Sequence, residues 1–272
     1  MSLFEALVLG LVQGLTEFLP ISSTAHLRIV PALVGWDDPG VAFTAVTQLG
    51  TVVAVLLYFR HDLWAVATGF TAGLRRREAR GSADYRMGWY LVVGTVPLGV
   101  FGLAFHEQVG TTARDLTVIA TTLILLAVVL LVAERVGSRT RGLEDVRMRD
   151  AVVVGLAQAT ALVPGVSRAG ATLTAGLFLG MQRDVAARFS FLLAVPAIVL
   201  SGLWEVRDAV DADDGVGLAP TLLATAVAFV AAYVTIEALL RFLATHSTTV
   251  FIVYRVLLGL LLFGLLGAGL IE

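Results

Sequence analysis

The 272-residue chain contains no cysteine and no lysine, and only 15% of its residues are charged. The missing cysteine excludes disulfides, thiolate zinc sites and a cysteine nucleophile together. The missing lysine leaves 19 arginines and four histidines as the basic side chains, so chemistry that requires a lysine amine is closed to it. Soluble domains carry about 25% charged residues, and this chain lacks the polar surface to match them. A formal net charge of −2 with no basic face argues against a nucleic-acid partner.

What the chain has in quantity is apolar surface: 58% hydrophobic residues and a mean hydropathy of +0.89. Six apolar runs, at 42–59, 89–105, 116–133, 189–206, 219–240 and 250–270, reach the roughly 17–22 residues that a membrane-spanning helix needs. Two further stretches, 3–35 and 150–180, are broken midway by FLPISSTAH and LVPGVSRAGAT. Proline removes a backbone donor and glycine loosens a helix, so neither stretch is expected to be one straight span. Irregular backbone at membrane depth survives where protein buries it or a wet cavity lines it, so both read as re-entrant helix pairs. The N-terminal MSLFEALVLGLVQGLTEF has no positive n-region and no small-residue cleavage site, and is expected to remain in the mature chain.

Arginine-rich loops set the orientation. Arg75, Arg76, Arg77, Arg80 and Arg86 form one cluster and Arg135, Arg139, Arg141, Arg147 and Arg149 a second, and both belong on the inside. The Arg-poor acidic stretches, Asp37–Asp38 and Asp208, Asp211, Asp213 and Asp214, suit the outside. Segment 3–35 then enters and leaves on the outer side, segment 150–180 on the inner side, and both termini are extracytoplasmic.

The halves also resemble one another: GLVQGLTEFLPISST from Gly10 matches GLAQATALVPGVSR from Gly155, and Phe43–Thr44 matches Phe189–Ser190. The expected fold is an all-α polytopic membrane protein with six transmembrane helices and two re-entrant helix pairs in an inverted-topology repeat. Residues 1–140 form the first repeat and 141–272 the second, each a re-entrant pair plus three spans, within one integral membrane domain. A polar site is expected near the midplane, where the broken helices meet.

Ionisable groups inside the membrane cost about 2.5–3.5 kcal/mol or more, which makes them functional candidates. Glu17, His26 and Arg168 lie in the broken segments, with Gln13, Ser22, Ser23, Thr24, Ser167 and Thr172 around them. Glu17 suits a hard divalent cation, with Gln13 one turn earlier offering a neutral oxygen. Arg168 has a planar fork for phosphate, and the amides after Pro20 and after Gly165 open helices whose N-termini hold anions. His26 can serve as acid, base or nucleophile, and Ser22 or Ser23 as an alternative nucleophile; water held by the cation is a third. The preferred pairing has Ser23 attacking with His26 as its base. Gln48, beside Gly50 in a span, is expected to line the cavity. His61, His106 and His246 sit at span ends and are read as outside the site. Cation, arginine and amide dipoles converging on one point describe phosphoryl transfer better than acyl transfer.

QGLTEFLPISSTAH and PGVSRAGAT resemble the two signature motifs of the undecaprenyl-diphosphate phosphatase family of the bacitracin-resistance type. The resemblance runs across essentially the whole chain, including the Phe43–Gly50 helix and FSFLLAVP from Phe189. It implies hydrolysis of a polyprenyl diphosphate to the monophosphate, recycling a lipid carrier for cell-wall synthesis. It also implies a divalent cation (Mg2+ or Ca2+), a plasma-membrane location and a site on the outer face. By the same resemblance Gln13 and Glu17 match the (E/Q)xxxE motif, Ser23 the serine nucleophile and His26 the motif histidine. Ser167, Arg168 and Thr172 match the second motif, in which Ala169 stands where a second serine is usual. Partners expected are the lipid substrate and membrane lipids, with a homodimer left open.

Two rivals remain to be separated. A polyprenyl-phosphate flippase or transporter shares the inverted-repeat architecture but has no need of the Glu17–His26–Arg168 set. The haloperoxidase-related lipid phosphatases need a lysine in their first motif and a histidine after the Ser-Arg pair. This chain has no lysine, and ATLTAGLFLG after Arg168 has no histidine.

Overall fold

The computed structural model describes residues 1–105, 115–211 and 216–271, with side chains described at all of these except 41 and 200–211. The order is α1 (Leu3–Glu17), α2 (Ser23–Val34), α3 (Gly40–Tyr58), α4 (Arg60–Arg75), α5 (Ala83–Ala104) and α6 (Leu116–Val136). It continues with α7 (Met148–Ala159), α8 (Arg168–Phe178), α9 (Arg183–Asp211), α10 (Leu218–Thr245) and α11 (Thr249–Gly267). Among the described residues there is no strand. His106, Asp213 and Asp214 lie outside the described residues.

The six apolar runs fall on α3, α5, α6, α9, α10 and α11. Four of these helices, α5, α6, α10 and α11, are long and apolar enough to cross a membrane; α3 joined to α4 through a 73° bend makes a fifth. Helix α4 is an addition to the sequence reading. Its first turn carries Arg60, His61 and Asp62, which places it beyond the apolar run while leaving its helical pattern intact.

Both broken stretches are helix pairs. Helix α1 stops at Glu17 and α2 starts at Ser23; α7 stops at Ala159 and α8 starts at Arg168. Each second helix is capped by a serine hydroxyl: Ser22 accepts from the Ala25 amide and Ser167 from the Gly170 amide. The two caps share an uncommon backbone, φ 74° at Ser22 and φ 69° at Ser167. A side-chain-bearing residue held there is strained, and such strain concentrates at functional sites.

Small residues bring the hairpins close to the spans. A Cβ added at Gly14 would lie 2.5 Å from the Ala228 carbonyl oxygen and 2.6 Å from the Ala231 Cβ, so α1 packs backbone-close on α10. Gly155 repeats the device against α5, where a Cβ would meet the Gly94 carbonyl oxygen at 2.3 Å.

The core beneath the first hairpin is aromatic. Phe18 packs edge-on against Phe191 at 5.2 Å between ring centroids, and Phe191 lies 6.3 Å from Phe59. At the helix ends beside the arginine-rich loops, Glu134 of α6 accepts from Arg183 of α9 and Thr248 at the start of α11. Arg141 bridges Asp150 at 2.5 Å and the Leu179 carbonyl. These arginines tie α6, α7, α8 and α9 together, besides the orientation expected of them.

Candidate active site

The site is built where the two hairpin tips face one another. Helix α1 turns Ala6, Leu9, Gly10, Gln13, Gly14 and Glu17 inward at three- and four-residue spacing, and the last of these ends the helix. Glu17 is 8% exposed and Gln13 1%. From the other tip, Arg168 opens α8 and its Nη2 donates to Glu17 Oε1 at 2.5 Å. The second carboxylate oxygen accepts from Ser23 Oγ at 2.5 Å and from Gln13 Nε2 at 3.1 Å. One carboxylate therefore joins α1, the start of α2 and the start of α8.

A cavity of about 160 Å³ opens over this cluster. Its polar lining is Glu17, Ser22, Ser23, Thr24, Gln48 and Ser167 with Arg168, and its apolar side is Leu98, Ala161 and Leu162. The first turns of α2 and α8 both border it, so two helix N-termini with their partial positive charge are directed at one small volume. Seven residues singled out from the sequence thus line one cavity, Gln48 among them.

Four others stand behind it. Gln13 is buried under Glu17. Thr172 donates to the Arg168 carbonyl at 2.8 Å and pairs with Ser190 Oγ at 2.5 Å, so it braces α8 against α9 instead of facing the cavity. Gly165 serves through its backbone: φ is +81°, and a Cβ there would meet Thr122 Oγ1 at 2.2 Å. His26 is the largest departure from the expected arrangement. Its Nδ1 lies 2.7 Å from the Ser22 carbonyl and its Nε2 2.6 Å from the Tyr254 hydroxyl, with the two rings stacked. The Ser23 hydroxyl is bonded to Glu17, and the Ser23–His26 pairing expected from the sequence is not the one formed. His61 and His246 are exposed and line no part of the cavity.

Arg255 of α11 is the residue that sequence reasoning missed. It is fully buried, and its guanidinium donates to the carbonyls of Pro20 at 3.0 Å, Gly165 at 2.9 Å, Leu123 at 3.1 Å and Thr122 at 3.2 Å. Both hairpin tips are thereby pinned to α6 by a single cation placed under the helix starts. A lone Arg in VYRVLLGLL, inside a span, was the signal available.

The donor set can be tested against a divalent cation. Gln13 Oε1 is buried without a hydrogen-bond partner, an oxygen ligand in waiting beside the Glu17 carboxylate. Among the described residues no group of three or more His, Cys, Asp or Glu assembles. The mixed set of one carboxylate, one amide oxygen and one hydroxyl suits a hard ion that completes its shell with water and phosphate.

Residues 6–261 match the family described as bacitracin resistance protein BacA. The chain belongs to that family. Members curated as undecaprenyl-diphosphatase share its full length. The Myxococcus xanthus protein is 52% identical over 269 residues, covering 99% of this chain and 91% of its own. The Nocardioides sp. protein is 50% identical over 268 residues, covering 98% of each. The Mycolicibacterium smegmatis protein is 50% identical over 276 residues, covering 100% of this chain and 99% of its own. Family membership and the apolar helices together make this a multi-pass membrane protein.

Proposed function

We propose that the Glu17–Ser23–Arg168 cluster hydrolyses the terminal phosphoanhydride of a polyprenyl diphosphate. The protein is an undecaprenyl-diphosphate phosphatase, as its relatives of about 50% identity are named. The observation that carries the site assignment is one buried carboxylate shared by a serine hydroxyl and an arginine from the facing hairpin.

In this reading the terminal phosphate enters between the two helix starts, where backbone amides and the Arg168 fork take its oxygens. Ser23 Oγ attacks phosphorus and passes its proton to Glu17 Oε2. The bond from phosphorus to the bridging oxygen breaks, and the polyprenyl monophosphate leaves with the electron pair. Glu17 hands that proton to the departing monophosphate, takes one from the water that attacks the phosphoserine, and returns it to Ser23 Oγ as inorganic phosphate departs. Arg255, behind the tips, keeps their carbonyls turned away from the anion. His26 and Tyr254 fix the Ser22 backbone that presents Ser23. A divalent cation, Mg2+ or Ca2+, held by Glu17 and the Gln13 amide oxygen, would supply charge neutralisation for the diphosphate.

We place this cavity on the extracytoplasmic side of the plasma membrane, with six spans and two re-entrant pairs related as inverted repeats at 1–140 and 141–272. The arginine-rich loops and the matching cap geometry of Ser22 and Ser167 support that reading. A flippase reading has no observation of its own in its favour.

The test is release of inorganic phosphate from a polyprenyl diphosphate by purified protein, with and without chelator. Glu17→Gln should remove nearly all activity. A Glu17→Gln variant that turns over like the wild type would overturn the site assignment.

A further inference from the structure

Hydrolysis leaves an inorganic phosphate in a cavity where Arg168 is the one cation among the described lining residues. Arg168 and two helix starts hold that anion, so it needs a way out along which it stays partnered. Leu98, Ala161 and Leu162 offer it nothing. The other side of the cavity does, through Thr24 of α2 and Gln48 of α3.

Both helices carry a second polar residue one turn farther from the cavity. Arg28 follows Thr24 by four positions and Thr44 precedes Gln48 by four, so each pair shares a helix face. The two helices lie side by side at this level. Leu27 and Phe43 pack in one buried cluster with Leu9 and Ala224, and Arg28 and Thr44 are their next neighbours in the chain. Beyond them stands Asp38. Its Oδ2 lies 3.6 Å from Arg28 Nε, and its Oδ1 accepts from the Gly40 amide at the start of α3. Thr24 is exposed, and the Arg28 and Asp38 side chains keep 21% and 30% of their surface. A row of partly exposed polar groups leading from an intramembrane site marks water, since lipid would leave them unsatisfied.

We propose that Arg28 is a second phosphate site, a station that holds the product, inorganic phosphate, between the cavity and the outer surface. Long side chains on a helix lean toward its N-terminus. The Arg28 guanidinium can therefore swing between Asp38 and Thr24 at the cavity mouth. Exchanging the Asp38 carboxylate for phosphate keeps the guanidinium paired, and partly exposed ion pairs are weak enough to be exchanged. Asp38 is the competitor that draws Arg28 back and expels the anion. The proposal rests on the phosphatase reading and extends it to the step after chemistry. The ligand is free phosphate; the phosphate of the lipid substrate shares its chemistry, and the test separates the two.

The test measures inhibition of the full-length protein by inorganic phosphate in detergent micelles, with a polyprenyl diphosphate radiolabelled in its terminal phosphate as substrate. Arg28→Gln should raise the inhibition constant for phosphate about fivefold or more and leave KM for the lipid unchanged. Arg28→Lys keeps a charge for phosphate and should stay within about twofold of the wild type in both. Asp38→Asn removes the competing carboxylate and should lower the inhibition constant about threefold. A pair that only braced the loop would move both variants in one direction, whereas a station moves them oppositely. An unchanged phosphate constant in Arg28→Gln, or shifts of one sign in Arg28→Gln and Asp38→Asn, would overturn the station. So would a raised KM with the phosphate constant unmoved, which would put the substrate's own phosphate at Arg28. A wild-type protein that releases no phosphate from the lipid would overturn the functional reading beneath it.

Discussion

Glu17 and Arg168 are 151 positions apart in the chain and meet at 2.5 Å, side chain to side chain, with only 6% and 16% of their respective side-chain surfaces exposed. Burying such a pair costs desolvation on both partners, a cost that the attraction between them does not reliably recover. Stability alone is a weak reason to keep it. Its position between two strained hairpin tips, with a serine hydroxyl on the same carboxylate, gives a functional reason.

Arg168→Lys preserves the charge and loses the fork. The ammonium can hold Glu17 or a phosphate oxygen, but it lacks the planar geometry to serve both. Phosphate release should fall by about tenfold or more. Wild-type turnover would show that the residue only ties the hairpins together.

Arg255→Met should be felt in stability first. Removing the guanidinium leaves the Pro20, Gly165 and Leu123 carbonyls without this donor, and a buried polar group stranded in that way costs about 1–3 kcal/mol. Thermal unfolding in detergent should shift downward and activity should be lost with it. An unshifted melting curve with normal turnover would remove Arg255 from the account.

Tyr254→Phe tests the role given to His26. The Ser22 carbonyl only accepts, so His26 Nδ1 carries a hydrogen, and in the neutral ring Nε2 accepts from the Tyr254 hydroxyl. If His26 positions the Ser22 backbone, Tyr254→Phe should lower kcat about three- to tenfold, and adding it to His26→Ala should cost little more, since residues acting as a unit are non-additive. Fully multiplicative losses would separate the two residues.

Much of this architecture was legible because membranes write strong signals. Apolar runs of spanning length marked α3, α5, α6, α9, α10 and α11, and Pro20 and Pro164 marked both helix breaks. Glu17, Ser23 and Arg168 stood out as polar residues in those breaks. Helix α4 escaped because Arg60, His61 and Asp62 end the apolar pattern where the helix begins. Arg255 escaped because one charge in a long apolar helix barely changes its mean hydropathy, although its burial cost should have flagged it. The orientation of His26 was beyond sequence reach. Its partner Tyr254 lies 228 positions away, and nothing local distinguishes a histidine that serves Ser23 from one that holds the Ser22 carbonyl.

The cysteine-free background makes the orientation directly measurable. Single cysteines at positions 80 and 139 should be reached only from the cytoplasmic side, and one at position 38 only from outside. Labelling of 38 and 80 from the same side would contradict the inverted repeat, whatever the site does.

The central claim is that Ser23, held on Glu17, attacks the terminal phosphorus. Rapid quenching of a single turnover, with a polyprenyl diphosphate radiolabelled in its terminal phosphate, tests it most directly. Acid-stable label should appear on Ser23 before free phosphate, with none trapped in Ser23→Ala and turnover in that variant largely lost. Acid-labile label on His26, or a Ser23→Ala variant with near-normal turnover, would contradict it and leave His26 or water as the attacking group.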